Sequence, residues 1–190
     1  MKLWAYQLGT AVAAGCIFSM CGGVAIAQTQ PAQPAAQAAV PRPQHPACVD
    51  DPHYALQDFT VGHWDVYRGE RKTAEVKMEK VLNGCSILET WMTAEGVPTA
   101  NGYFNYNRDH DMWQYFWTSG SGDTTYYKGS LIEPGNMRFV TTYPRPQGER
   151  LEHWSLIAQP DGTVQELART TEDGGETWRT GYDLRWRKHQ

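Results

Sequence analysis

Glu89 carries the most chemical information of any residue in this sequence. It shares strand parity with Cys85, Ile87 and Trp91, so an extended segment that buries those three turns its carboxylate inward as well. Burying a carboxylate is costly unless it is paired or hydrogen-bonded, and desolvation raises its pKa. Such a group can orient a ligand or act as a general acid or base. The same parity also allows half of a buried ion pair with an inward Arg, or a side chain at a wet rim. Glu166 poses the same alternatives, and Tyr115 and His153 complete the set of candidate catalytic side chains.

Other chemistries find less support. Asp109-His110-Asp111 is a compact polar trio, but it falls where a hairpin should turn and reads as a solvated loop. No H-x-H, H-x3-H or H-E-x-x-H spacing sets out metal ligands, so neither a metal nor a cofactor is expected. Heme ligation would need an inward His, and His153 is the candidate for it. Ser155 shares a face with His153, yet the G-x-S-x-G turn of a serine hydrolase is missing.

The elements that must position these residues are strands. From Phe59 onward the dominant period is two: Ala74, Val76 and Met78 alternate with Glu75, Lys77 and Glu79. Trp113, Tyr115 and Trp117 share one side of their segment, Met137, Phe139, Thr141 and Tyr143 one side of theirs, and Thr180, Tyr182, Leu184 and Trp186 one side of the last. Turn residues recur at short intervals, among them Arg68-Gly69, Asn83-Gly84, Pro134-Gly135-Asn136, Asp161-Gly162 and Asp173-Gly174-Gly175. They separate about ten strands, as in a sandwich or a barrel. Every connection has hairpin length and none is long enough for a Greek-key crossover. The expected fold is therefore all-β, a single antiparallel up-and-down barrel closed so that no edge is bare.

The start of the chain sets the compartment. Lys2, an apolar stretch from about Leu8 to Val24 and the small residues of Ala25-Ile26-Ala27 read as a signal peptide over 1–27. Gly15, Ser19, Gly22 and Gly23 interrupt the stretch, which argues against a membrane anchor; a lipobox ending in Cys16 or Cys21 is a poorer match. Residues 28–57 form a Pro/Ala/Gln-rich spacer and N-terminal arm, and 58–190 the barrel domain. A periplasmic or secreted location follows, with no integral membrane segment in the mature chain. Cys16 and Cys21 leave with the signal, so Cys48 and Cys85 are expected to pair in an oxidising compartment. The formal net charge of −4 and the lack of a basic run before the last few residues exclude nucleic acid as a partner.

Several stretches carry a resemblance. Gly62-His63-Trp64 opens the first strand and Arg185 and Arg187 lie in the last, which resembles the lipocalin-type signature. The resemblance implies that Trp64 packs at the barrel floor against Arg185 or Arg187 through a cation–π contact. More of the chain, roughly 58–187, is similar to a calycin-like family of exported bacterial barrels of unassigned function. The matching stretches are Phe59 to Val66, Leu82-Asn83-Gly84-Cys85-Ser86-Ile87-Leu88-Glu89-Thr90-Trp91, Trp113 to Trp117, and Asp173-Gly174-Gly175-Glu176-Thr177-Trp178. The sequence departs from that family where Tyr115 replaces the middle Gln of a W-x-Q-x-W segment, and where Glu166 and Arg169 stand in for a Gln and a Glu. Thr171 to Trp178 also fits an Asp-box, a hairpin turn that repeats in propellers but occurs once here.

These readings leave three functions open. The leading one is a binding protein for a small hydrophobic or aromatic molecule, with Glu89, Trp91, Trp113, Tyr115, Trp117, Trp154 and Glu166 lining its site. The second is a cofactor-independent lyase, isomerase or hydrolase using Glu89 or Glu166 with Tyr115 or His153. The third is a solid-cored structural or interaction protein, since small barrels can fill themselves with side chains.

Overall fold

A computed structural model of the chain describes residues 45–190. The signal peptide, residues 28–44 of the spacer, and Cys16 and Cys21 lie outside the described residues. Three short 3₁₀ turns, Cys48–Asp50, Pro52–Ala55 and Asp58–Thr60, precede ten strands: β1 (Gly62–Arg68), β2 (Arg71–Val81), β3 (Ser86–Thr93), β4 (Pro98–Asn107), β5 (Met112–Ser119), β6 (Thr124–Glu133), β7 (Asn136–Arg145), β8 (Gly148–Ala158), β9 (Val164–Thr171) and β10 (Arg179–Lys188). Each strand pairs antiparallel with its sequence neighbours, and β1 pairs with β10, so the sheet closes into an up-and-down barrel. Among the described residues no helix is long and apolar enough to cross a membrane.

The period-two pattern fills the barrel as the strand pleat requires. Val76 and Met78 of β2, Ile87 of β3, Phe104 of β4, Met137 and Phe139 of β7, Leu156 of β8 and Trp186 of β10 are all fully buried. Large rings need room on the opposite wall. Gly129 of β6 supplies it, because a Cβ there would collide with the Phe139 ring.

The segment before β1 lies against one end of the barrel. Leu56, Phe59 and Val61 pack on the core, while Lys80 Nζ donates to the Tyr54 carbonyl at 2.9 Å. Arg108 donates to Asp51 Oδ2 at 3.1 Å and to the Pro46 carbonyl at 2.7 Å. Cys48 and Cys85 form the disulfide, with Cα atoms 5.0 Å apart, tying the arm to the residue that precedes β3. A cross-link of this kind belongs to an oxidising compartment.

Trp64 is buried at this end, its indole N–H donating to the Thr60 carbonyl at 2.7 Å. The cation over its ring is Lys188, at 3.6 Å from the centroid, and not Arg185 or Arg187. The reason is register: Trp64 sits opposite Lys188 across the closing seam, while Arg187 faces Asp65 and Arg185 faces Tyr67. Arg187 lies over the Tyr67 ring and Arg185 donates to Thr163 Oγ1, both on other parts of the wall.

Candidate functional site

A cavity of about 410 Å³ occupies the barrel interior. It runs from the buried carboxyls of Glu89 and Glu166 to Arg68, Trp117, Thr125 and Tyr143, near the hairpin ends opposite the N-terminal arm. Of the residues expected to line a site, Glu89, Trp91, Tyr115, Trp117, Trp154 and Glu166 all border this cavity.

The placement of Glu89 follows from its strand. Met78 of β2 and Gly102 of β4 flank it across the sheet, and the carboxyl is 1% exposed. Gly102 makes the arrangement possible, since a Cβ there would stand 2.6 Å from the Tyr115 hydroxyl and 2.7 Å from Glu89 Oε2. Into that space the Tyr115 hydroxyl donates a very short hydrogen bond to Glu89 Oε2. Glu89 Oε1 is buried and has no hydrogen-bond partner. Burial pushes the Glu89 carboxyl up to about 8, against the pull of the Tyr115 bond and with help from the charge of Glu166. Tyr115 in turn is raised well above its usual value by burial and by Glu89.

Glu166 of β9 is differently placed. The indole N–H of Trp154 donates to its Oε1 at 3.0 Å, and that of Trp186 to its Oε2 at 2.8 Å. Burial raises it to about 7, while the bonds from Trp186, Trp154 and Tyr182 hold it lower than burial alone would. A third carboxyl, Glu152 of β8, also borders the cavity and accepts from the Tyr127 hydroxyl at 2.8 Å. The cavity thus joins aromatic walls to three acids, and two of them titrate near neutrality.

Two expected residues fall elsewhere. Trp113 is buried at the foot of β5 against Tyr106, with ring centroids 6.1 Å apart, and does not border the cavity. His153 faces outward, because its neighbour Trp154 takes the inward parity of β8. Its ring packs on Trp178 at 4.3 Å, in an outer pocket with Arg138, Ser155 and Arg169. Burial and those two guanidinium groups lower its pKa. This outward position removes His153 as an interior base or heme ligand. The Asp-box turn behaves as a turn: Asp173 accepts from the Thr177 backbone N–H at 3.0 Å and from Thr171 Oγ1 at 2.6 Å.

Sequence reasoning missed Tyr127, Tyr143, Glu152 and Tyr182 on the cavity wall. The signal was present for three of them, since Glu152 shares parity with Trp154, Tyr143 with Met137 and Phe139, and Tyr182 with Leu184 and Trp186.

Among the described residues one group has metal-ligand types close together: His63, Glu75 and His189, whose ligand atoms lie within 4.8 Å of one another on the outer wall. Each of them already has a partner: Lys72 Nζ bridges Glu75 and Asp65 at 2.7 Å each, His63 Nε2 lies 3.0 Å from Glu75 Oε2, His189 Nδ1 lies 2.8 Å from Asp65 Oδ1, and the two imidazoles stack with centroids 3.9 Å apart. The group is a hydrogen-bonded ion cluster at the barrel seam.

Fold and site together define a closed ten-stranded antiparallel barrel with an aromatic, carboxyl-bearing interior cavity. No protein-family model matches the chain, and no curated protein matches it either.

Proposed function

We propose that this chain is an exported barrel that binds a small, largely aromatic or hydrophobic molecule inside its cavity, as an outlying relative of the calycin-like barrels. One observation carries the reading: the interior leaves about 410 Å³ between indole and phenol rings instead of packing solid. Ligand pockets of about 300–1,000 Å³ with apolar walls and few polar groups are the usual form of a small-molecule site. Export is supported by the leader-like start and by the Cys48–Cys85 disulfide.

Native mass spectrometry of protein purified from its own host tests this. A co-purifying small molecule, lost from a Thr125→Trp variant that blocks the cavity, is the expected result. Absence of any adduct, together with no saturable binding of the neutral fluorophore N-phenyl-1-naphthylamine, overturns it.

A second reading, a cofactor-independent acid–base enzyme, is favoured by the two carboxyls that titrate at about 8 and about 7 beside one cavity. Groups that titrate near the working pH are suited to proton transfer. A bell-shaped pH–rate profile on any candidate substrate, lost in Glu89→Gln, would favour it over simple binding.

A further inference from the structure

The polar atoms at the buried end of the cavity are unevenly matched. Its donors are already committed to carboxyl oxygens: the Tyr115 hydroxyl to Glu89, the Trp154 and Trp186 indoles to Glu166, and the Tyr127 hydroxyl to Glu152. One carboxyl oxygen is left over, Oε1 of Glu89: the residue borders the cavity, and this atom is buried and has no partner. Of the buried side-chain atoms without a partner among the described residues, this is the one whose residue lines the cavity, and such an atom calls for a functional account. What fits there is a hydrogen-bond donor brought by the ligand.

Charge narrows the kind of donor. Among the described residues three acids border the cavity, and its one basic side chain is Arg68, exposed at the opposite end. The walls between them are aromatic residues, whose ring faces carry negative quadrupoles that attract cations more strongly when water is excluded. A neutral hydroxyl would satisfy Oε1 but would not use the acids or the rings. A ligand carboxylate would be repelled by both.

We propose that the molecule taken by this cavity carries a protonated amine on an aromatic body, with the ammonium seated on Glu89 Oε1 and the body lying among Trp91, Trp117 and Trp154. The proposal rests on the cavity-binding function above and narrows it to one ligand class. Glu166 holds its two indoles in place and Glu89 receives the charge. Burial holds the Glu89 proton up to about 8, so seating the ammonium at neutral pH releases that proton to solvent.

Three probes of nearly equal shape separate the possibilities: tryptamine, tryptophol and indole-3-acetate, each titrated calorimetrically into the mature barrel. Tryptamine should bind at least tenfold more tightly than the other two. Glu89→Gln should shrink that preference to threefold or less, by weakening tryptamine binding. Should Glu89→Gln fail to fold, Thr125→Lys at the half-buried rim should likewise reduce the tryptamine preference over tryptophol, by placing a competing charge in the cavity. Equal or tighter binding of tryptophol or indole-3-acetate overturns the amine proposal and leaves the cavity-binding function standing. So does binding of N-phenyl-1-naphthylamine without binding of tryptamine. If neither the fluorophore nor any indole binds, the cavity-binding function fails, and the amine proposal with it.

Discussion

Replacing Glu89 with Gln tests whether this carboxyl is held as a neutral acid. Its pKa is raised from 4.5 to about 8 by burial, and no positive charge opposes the rise. The unfolded chain releases the same proton near 4.5, so between the two values only the folded state keeps it. Stability therefore falls as pH rises through this window, by about 1.4 kcal/mol for each pH unit. At pH 7 the accumulated cost is about 3 kcal/mol. Gln preserves the shape and has no proton to hold, which removes the cost. It also weakens the bond from Tyr115, by about 1 kcal/mol at every pH. The variant should then be slightly less stable than the parent at pH 4 and about 2 kcal/mol more stable at pH 7, these being the balance of the two effects. The change between the two pH values carries the test, and chemical denaturation at pH 4, 5.5 and 7 measures it. Glu166 titrates in both proteins, and His153, whose lowered pKa makes stability rise with pH, cancels in the comparison. Parallel pH profiles for parent and variant would refute the reasoning. A uniform loss of about 3–5 kcal/mol would mean instead that Glu89 is charged and that Gln strands a partner cation.

Three further expectations follow from the packing. Trp64→Ala should cost about 3–5 kcal/mol in denaturant melts, and Lys188→Ala about 0.5–2 kcal/mol through the lost cation–π contact. Arg185→Ala and Arg187→Ala should each cost less than Lys188→Ala, and the reverse order would show the register across the seam to be wrong. Gly102→Ala forces a methyl group against Tyr115 and Glu89 and should destabilise by about 1–3 kcal/mol, with the Glu89 titration displaced in carbonyl-edited NMR; an unchanged melt and titration would remove the close approach from the account. The denatured, unreduced chain from residue 28 onward should present no free thiol, and reduction should lower stability by about 4 kcal/mol for the loop of 37 residues. Two thiols per chain would contradict the pairing.

Much of the architecture was legible in the sequence, for a local reason. Strand parity is a property of neighbouring residues, so Ile87 and Trp91 were enough to turn Glu89 inward, and recurrent Gly, Asn and Asp turns were enough to delimit a meander of about ten strands. The paired cysteines followed from counting them once 1–27 is read as a signal peptide. Parity, however, gives a side and not a height. Trp113 and Trp117 share a face of β5, yet one packs at the foot beside Tyr106 and the other borders the cavity, because strand tilt and stagger set the level at which each ring meets the opposite wall. The closing seam could not be read from either strand alone: the β1–β10 register, decided by the whole barrel, set Lys188 over Trp64 and sent Arg185 and Arg187 elsewhere. His153 turned outward because Trp154 and Glu152 took the interior of β8, a choice between two amphipathic faces that local pattern left undecided. The pairing of Tyr115 with Glu89 needed the missing side chain of Gly102 between them, a contact across three strands. Sequence determined which residues face inward along most strands; only closure of the barrel decided which of those meet, and so which oxygen was left without a partner.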